Sequence, residues 1–143
     1  MPLSLPAPCR EPRSETPVTP CRCLARLRRI AMTSRMAPRR NAEAICALVD
    51  ADKNCGLDAY GSALLRLLPI ALGRRVVFHR PGSPEITFDE SWVISLLTSI
   101  KRGDADSTLF ALSSRISRPM RGQVRYLARG FADRLDTAEL ELF

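Results

Sequence analysis

Arg115, Arg118, Arg121, Arg125 and Arg129 are the one series of side chains whose type and spacing point to a chemistry. At about 100° per residue on a helix, the last four fall within a sector of roughly 80°, opposite Met120, Val124, Leu127 and Phe131. A row of guanidinium groups on a solvated face suits the phosphate oxygens of a nucleic acid. Arg115 stands just ahead of Ser117-Arg118-Pro119, so a helix, a tight connection and a second helix with arginines near its start are expected. That order is compatible with helix-turn-helix geometry, in which the second helix supplies phosphate and base contacts.

Three observations weigh against it. Pro119 occupies a connection where a helix-turn-helix more often has a glycine turn. Residues 41–143 hold 13 basic and 13 acidic side chains, which leaves no net charge for sequence-independent attraction to phosphate. A charged face opposite an apolar one is also ordinary for a surface helix.

The remaining reactive residue types are too scattered to form a centre. His79 is the single histidine, beside Arg80 and with no acid in its own strand, which excludes multi-histidine metal sites and makes a packing or surface role the expectation. Cys21-Arg22-Cys23 has neither zinc-site nor redox-motif spacing, and Cys46 and Cys55 read as small, partly buried residues. Asp50, Asp52 and Asn54 resemble the first, third and fifth positions of an EF-hand calcium loop. Cys55 stands where that loop needs glycine, however, and Gly61 where it needs a bidentate glutamate. With seven glycines and no phosphate-cradling glycine motif, the sequence assigns no catalytic residue, metal ligand or cofactor.

The elements that would carry the arginines are legible from hydrophobic periodicity. Asn41 caps a short helix through about Val49. A second helix, Asp58 to Leu72, is so rich in leucine that most of its surface must be covered, either inside the domain or by a partner along Leu64–Leu72. Pro69 is expected to kink that helix or end its regular part early, and Gly73 to stop it. A β-hairpin is predicted over residues 75–88, with Pro81-Gly82 as its turn. A helix capped by Thr87 with Glu90, or by Asp89 with Phe88 as a staple, then buries Trp92, Val93, Leu96, Leu97 and Ile100. Gly103-Asp104 ends it and starts a helix with Ala105, Leu109, Leu112 and Ile116 on one face. The last helix begins with Pro119 at its first position and carries the arginines.

Composition divides the chain. Residues 1–40 contain nine arginines against Glu11 and Glu15, and seven of the eleven prolines, and are expected to form a disordered basic extension ahead of a single helical domain at 41–143. Within that extension a basic helix from Cys23 to Met36 has Leu24, Leu27 and Ile30 close to one face. Three origins stay open for the extension: a targeting segment, a membrane-surface or nucleic-acid-binding arm, or translation from a start placed too early, with Met32 and Met36 as later starts.

No stretch approaches the roughly 20 apolar residues needed to span a bilayer, and five cysteines without a secretory signal suggest reduced thiols in the cytoplasm. The expectation is a mainly α fold of about five helices with one inserted hairpin. Its function reads as a non-enzymatic protein-interaction or regulatory domain, alternatively a nucleic-acid-binding regulator using the last two helices.

Overall fold

The computed structural model describes residues 21–34, 44–47 and 56–135. They are mainly helical: α1 (Arg22–Ser34), α2 (Leu57–Leu72), α3 (Phe88–Arg102), α4 (Ala105–Arg115) and α5 (Arg118–Asp133), with residues 44–47 also helical. The calcium-like loop from Asp50 and the final residues from Asp136 lie outside the described residues.

α5 is the central element. Val124, Leu127, Ala128, Phe131 and Ala132 give it a buried stripe at helical spacing, and it packs against α2, α3 and α4. α2 makes its largest contact with α5 and turns another side to α1, so Leu64, Leu65, Leu67 and Leu68 are covered within the chain. The leucine excess of α2 is therefore answered internally, and Pro69 and Ile70 are the apolar residues of that stretch left exposed. Pro69 sits in the last turn and the helix continues past it to Leu72. Gly73, at φ 71°, then donates its N–H to the Pro69 carbonyl.

Where α1, α2 and α5 converge, Gly61 removes the side chain that would separate them. A Cβ there would stand 2.7 Å from the Phe131 ring and 2.8 Å from Ile30 Cδ1.

α1 revises the division of the chain at residue 40. Leu24, Leu27 and Ile30 are buried in the common core, so residues 22–34 belong to the folded body rather than to a disordered extension. The apolar stripe was visible in the sequence; the surface that receives it was not. Residues 1–20 and 35–43 lie outside the described residues.

The hairpin expected over 75–88 is the second difference, since the described residues contain no strand. The turn itself forms: Gly82 has φ 89° and Ser83 N–H donates to the Arg80 carbonyl at 3.2 Å. The ladder is absent because side chains take the backbone groups that it would pair. Val77 N–H donates to Asp89 Oδ2 and His79 N–H to Glu90 Oε2, each at 2.9 Å, and the Val77 carbonyl accepts from Thr87 Oγ1 at 2.7 Å. An irregular segment with satisfied polar groups thus replaces a two-stranded ribbon, which would be marginal alone.

Capping explains the other boundaries. Thr87 and Glu90 form the capping box, while Phe88 points outward and is 72% exposed instead of serving as a staple. Gly103 at φ 74° ends α3, with Asp104 N–H returning to the Ser99 carbonyl, and the Asp104 carboxylate accepts from Ser107 N–H to start α4. α2 starts one residue earlier than expected, with Gly56 as its cap and Asp58 in its first turn, near the positive end of the helix dipole. α4 buries Thr108 and Leu112 rather than Ala105 and Leu109, so its register is turned relative to the predicted face.

Candidate functional site

Charge is arranged in two ways: paired inside the fold, and exposed along α5. The inner arrangement starts at Arg28 on α1, 1% exposed, facing Glu90 on α3, 0% exposed. Arg28 Nε and Nη2 donate to the two Glu90 oxygens at 2.8 and 3.0 Å, and its terminal nitrogens donate to the Ser83 and Glu85 carbonyls at 2.9 and 2.6 Å. Glu90 also accepts from Thr87 N–H and His79 N–H. Burial pushes the Glu90 carboxyl up, but the Arg28 guanidinium and these two amides outweigh it and hold it below the usual range.

Asp89, one position earlier, is bound from both sides. Arg74 Nη2 and Arg115 Nη2 each donate to Oδ1 at 2.8 Å, and Val77 N–H reaches Oδ2. Burial again raises its pKa, and the hydrogen bonds from Arg74, Val77 and Arg115 carry it well below the carboxylate range. The Arg115 guanidinium also lies over the Phe88 ring at 4.8 Å and the Trp92 ring at 5.2 Å, while its Nη1 is buried with no hydrogen-bond acceptor. These groups hold the 74–87 segment onto α1, α3 and α4.

The five arginines of the predicted stripe therefore separate. Arg115 is held inside by Asp89 and the two rings. Arg121 Nε donates to the Ile116 carbonyl at 2.8 Å, closing the two-residue connection between α4 and α5. Arg118, Arg125 and Arg129 are exposed on one face of α5, with Arg129 in a loose surface pair with Asp133 at 3.9 Å. Pro119 is the second residue of α5, with Ser117 as its cap.

Sequence reasoning missed an aromatic group beside these arginines. Tyr126 on α5 is 43% exposed and meets Tyr60 of α2 edge to face, with ring centroids 6.4 Å apart. The Arg134 guanidinium covers the Tyr60 ring at 4.3 Å, and Arg134 Nη1 donates to the Gly130 carbonyl at 2.9 Å. Tyr60 lies directly against Gly130, where any Cβ would overlap its ring. Only the exposed phase of Tyr126, on the face shared with Arg125 and Arg129, could have signalled this from sequence.

α1 also changes the electrostatic balance, because it brings Arg22, Arg26, Arg28 and Arg29 with no acidic residue of its own. These four arginines add to the 13 basic and 13 acidic side chains of residues 41–143, and one of them, Arg28, is paired with Glu90.

Large apolar side chains stand exposed elsewhere. Leu109 and Phe110 on α4 are 60% and 75% exposed, and Phe88 lies at the start of α3, which packs against α4. His79 is half-buried and engaged through its backbone. Cys21 and Cys23 are buried and Cys46 partly so, and burial pushes the Cys21 thiol up. Among the described residues no group of three or more His, Cys, Asp or Glu side chains could hold a metal ion, and no helix is long and apolar enough to cross a membrane. Compared with protein-family models, curated proteins and solved structures, the chain matches none.

Proposed function

We propose that the protein is a non-enzymatic nucleic-acid-binding domain that holds phosphates against the exposed face of α5. The observation that carries this reading is the row Arg118, Arg125 and Arg129, three guanidinium groups on one solvated face of a rigid central helix. Support comes from α1, which adds Arg22, Arg26 and Arg29, besides the buried Arg28, and no acidic residue to the neutral count of residues 41–143. The setting of this reading is the reducing cytoplasm.

Each phosphate contact releases counterions, so binding must weaken steeply with salt. The test is fluorescence anisotropy of labelled oligonucleotides titrated with the whole chain at several salt concentrations. Replacing Arg118, Arg125 and Arg129 together by alanine is expected to lower the slope of log K against log salt by about 2 to 3. No binding at low salt, or an unchanged slope in the triple variant, overturns the reading.

A second reading, a protein-interaction surface, rests on the exposed Phe88, Leu109 and Phe110. The leucines of Leu64–Leu72 no longer support it, because the fold covers them. Sedimentation over a wide concentration range, with Phe110→Ser as the comparison, tests it as self-association: a concentration-dependent dimer abolished by the substitution is expected, and a monomer throughout removes it.

A further inference from the structure

We infer that the α5 face is shaped for single-stranded rather than duplex nucleic acid, with Tyr126 as a platform on which a base stacks; this deepens the reading above and rests on it. Stacking platforms in single-strand binding surfaces combine a basic track for the backbone with an aromatic ring held in place beside it. Both parts are present on α5. Projected at about 100° per residue, Arg118, Arg125, Arg129, Gly122 and Tyr126 fall on one side of the helix, within a sector of roughly 100°.

The ring is supported by a chain of contacts. Gly130 has no Cβ, which lets the Tyr60 ring lie against the α5 backbone. Arg134, anchored on the Gly130 carbonyl, covers Tyr60, and Tyr60 meets Tyr126 edge to face. Tyr126 is thus held from the α2 side and remains 43% exposed at the edge of the arginine row. A half-exposed tyrosine braced by a second tyrosine loses little rotamer freedom when a base covers it.

Gly122 supplies the second observation. It lies mid-helix and exposed, one turn after Arg118 and one turn before Tyr126, and a Cβ there would meet nothing within 4 Å. No packing in the fold requires glycine at this position, unlike Gly61 or Gly130. The bare helix surface between Arg118 and Tyr126 gives a sugar–phosphate backbone close access.

The test compares a labelled oligothymidylate with a hairpin duplex in anisotropy titrations against the full chain, with thermal unfolding measured in parallel. Tighter binding of the single strand is expected. Tyr126→Ala should weaken it about tenfold, while Tyr126→Phe, which keeps the ring, should leave it within about twofold. Gly122→Ala should raise the unfolding temperature, as removal of a helical glycine does, yet weaken single-strand binding. Equal affinity for both oligonucleotides, with Tyr126→Ala and Gly122→Ala binding as the wild type does, overturns the single-strand inference and leaves the phosphate row standing. Failure of the wild type to bind either oligonucleotide removes both.

Discussion

Replacing Arg28 by methionine should be among the most damaging single changes in this protein, and the magnitude follows from its surroundings. The guanidinium is fully enclosed and makes four hydrogen bonds: two to the Glu90 carboxylate and one each to the Ser83 and Glu85 carbonyls. Removing one member of a buried pair costs about 3–5 kcal/mol, because the other charge stays desolvated. The two carbonyls, which lose their donor as well, place the expected cost at the upper end of that range. For a body of about 100 residues this lowers the melting temperature by at least roughly 12 °C. It also takes a large share of the 5–15 kcal/mol typical of a domain.

The double replacement Arg28→Met with Glu90→Met is more discriminating. An isolated buried ion pair can often be exchanged for apolar side chains without loss. Here the exchange also strands the N–H groups of Thr87 and His79, which Glu90 accepts, so the double variant should remain about 3 kcal/mol or more below wild type. Urea unfolding followed by fluorescence suits the measurement, because Trp92 is the sole tryptophan and is buried, with its indole N–H on the Ala111 carbonyl. A loss under about 1 kcal/mol in Arg28→Met, or a double variant as stable as wild type, would refute the account of Arg28 as the clamp of the 74–87 segment.

Stability should also respond to acid. Asp89 and Glu90 both have folded-state pKa values below their unfolded ones, so their contribution is complete above the unfolded values near pH 4 and is lost as pH falls through the folded ones. The urea midpoint is therefore expected to be flat from about pH 6 to 8 and to fall steeply below about pH 4. A chain begun at Met32 lacks Leu24, Leu27, Arg28 and Ile30, exposes one side of α2 and leaves Glu90 unpaired. It should show no cooperative thermal transition and should bind a hydrophobic dye, whereas a sharp transition near that of the full chain would contradict the packing of α1.

The helices were legible because their signals are local. Thr87 with Glu90, Gly103 with Asp104, and Gly73 each determine a boundary by groups within a few residues, and each appears where the pattern placed it. The periodicity of Val124, Leu127 and Phe131 likewise fixed the buried side of α5. What failed depended on partners distant in sequence. Alternating apolar residues around Pro81-Gly82 read as a hairpin, but the amides of Val77 and His79 find carboxylates on α3 and no strand. α1 read as part of an extension because its composition is that of its neighbours, and nothing nearby reveals that Glu90 would receive Arg28. Of the arginine series, spacing gave the exposed face correctly but could not separate Arg115 and Arg121, which the fold holds, from Arg118, Arg125 and Arg129.

The contact between Arg28 and Glu90 joins residues 62 positions apart in the chain, and this has a consequence for synthesis. At about 5–20 residues per second, Arg28 is made roughly 3–12 seconds before Glu90, the residue that neutralises it. Until α2 is complete at Leu72, Leu24, Leu27 and Ile30 have no core to enter, and α3 and α5 follow later still. α1 thus waits for Glu90 before its buried arginine is paired, and a nascent protein stalled before α3 would present a basic, amphipathic helix to any chaperone or anionic surface near the exit tunnel.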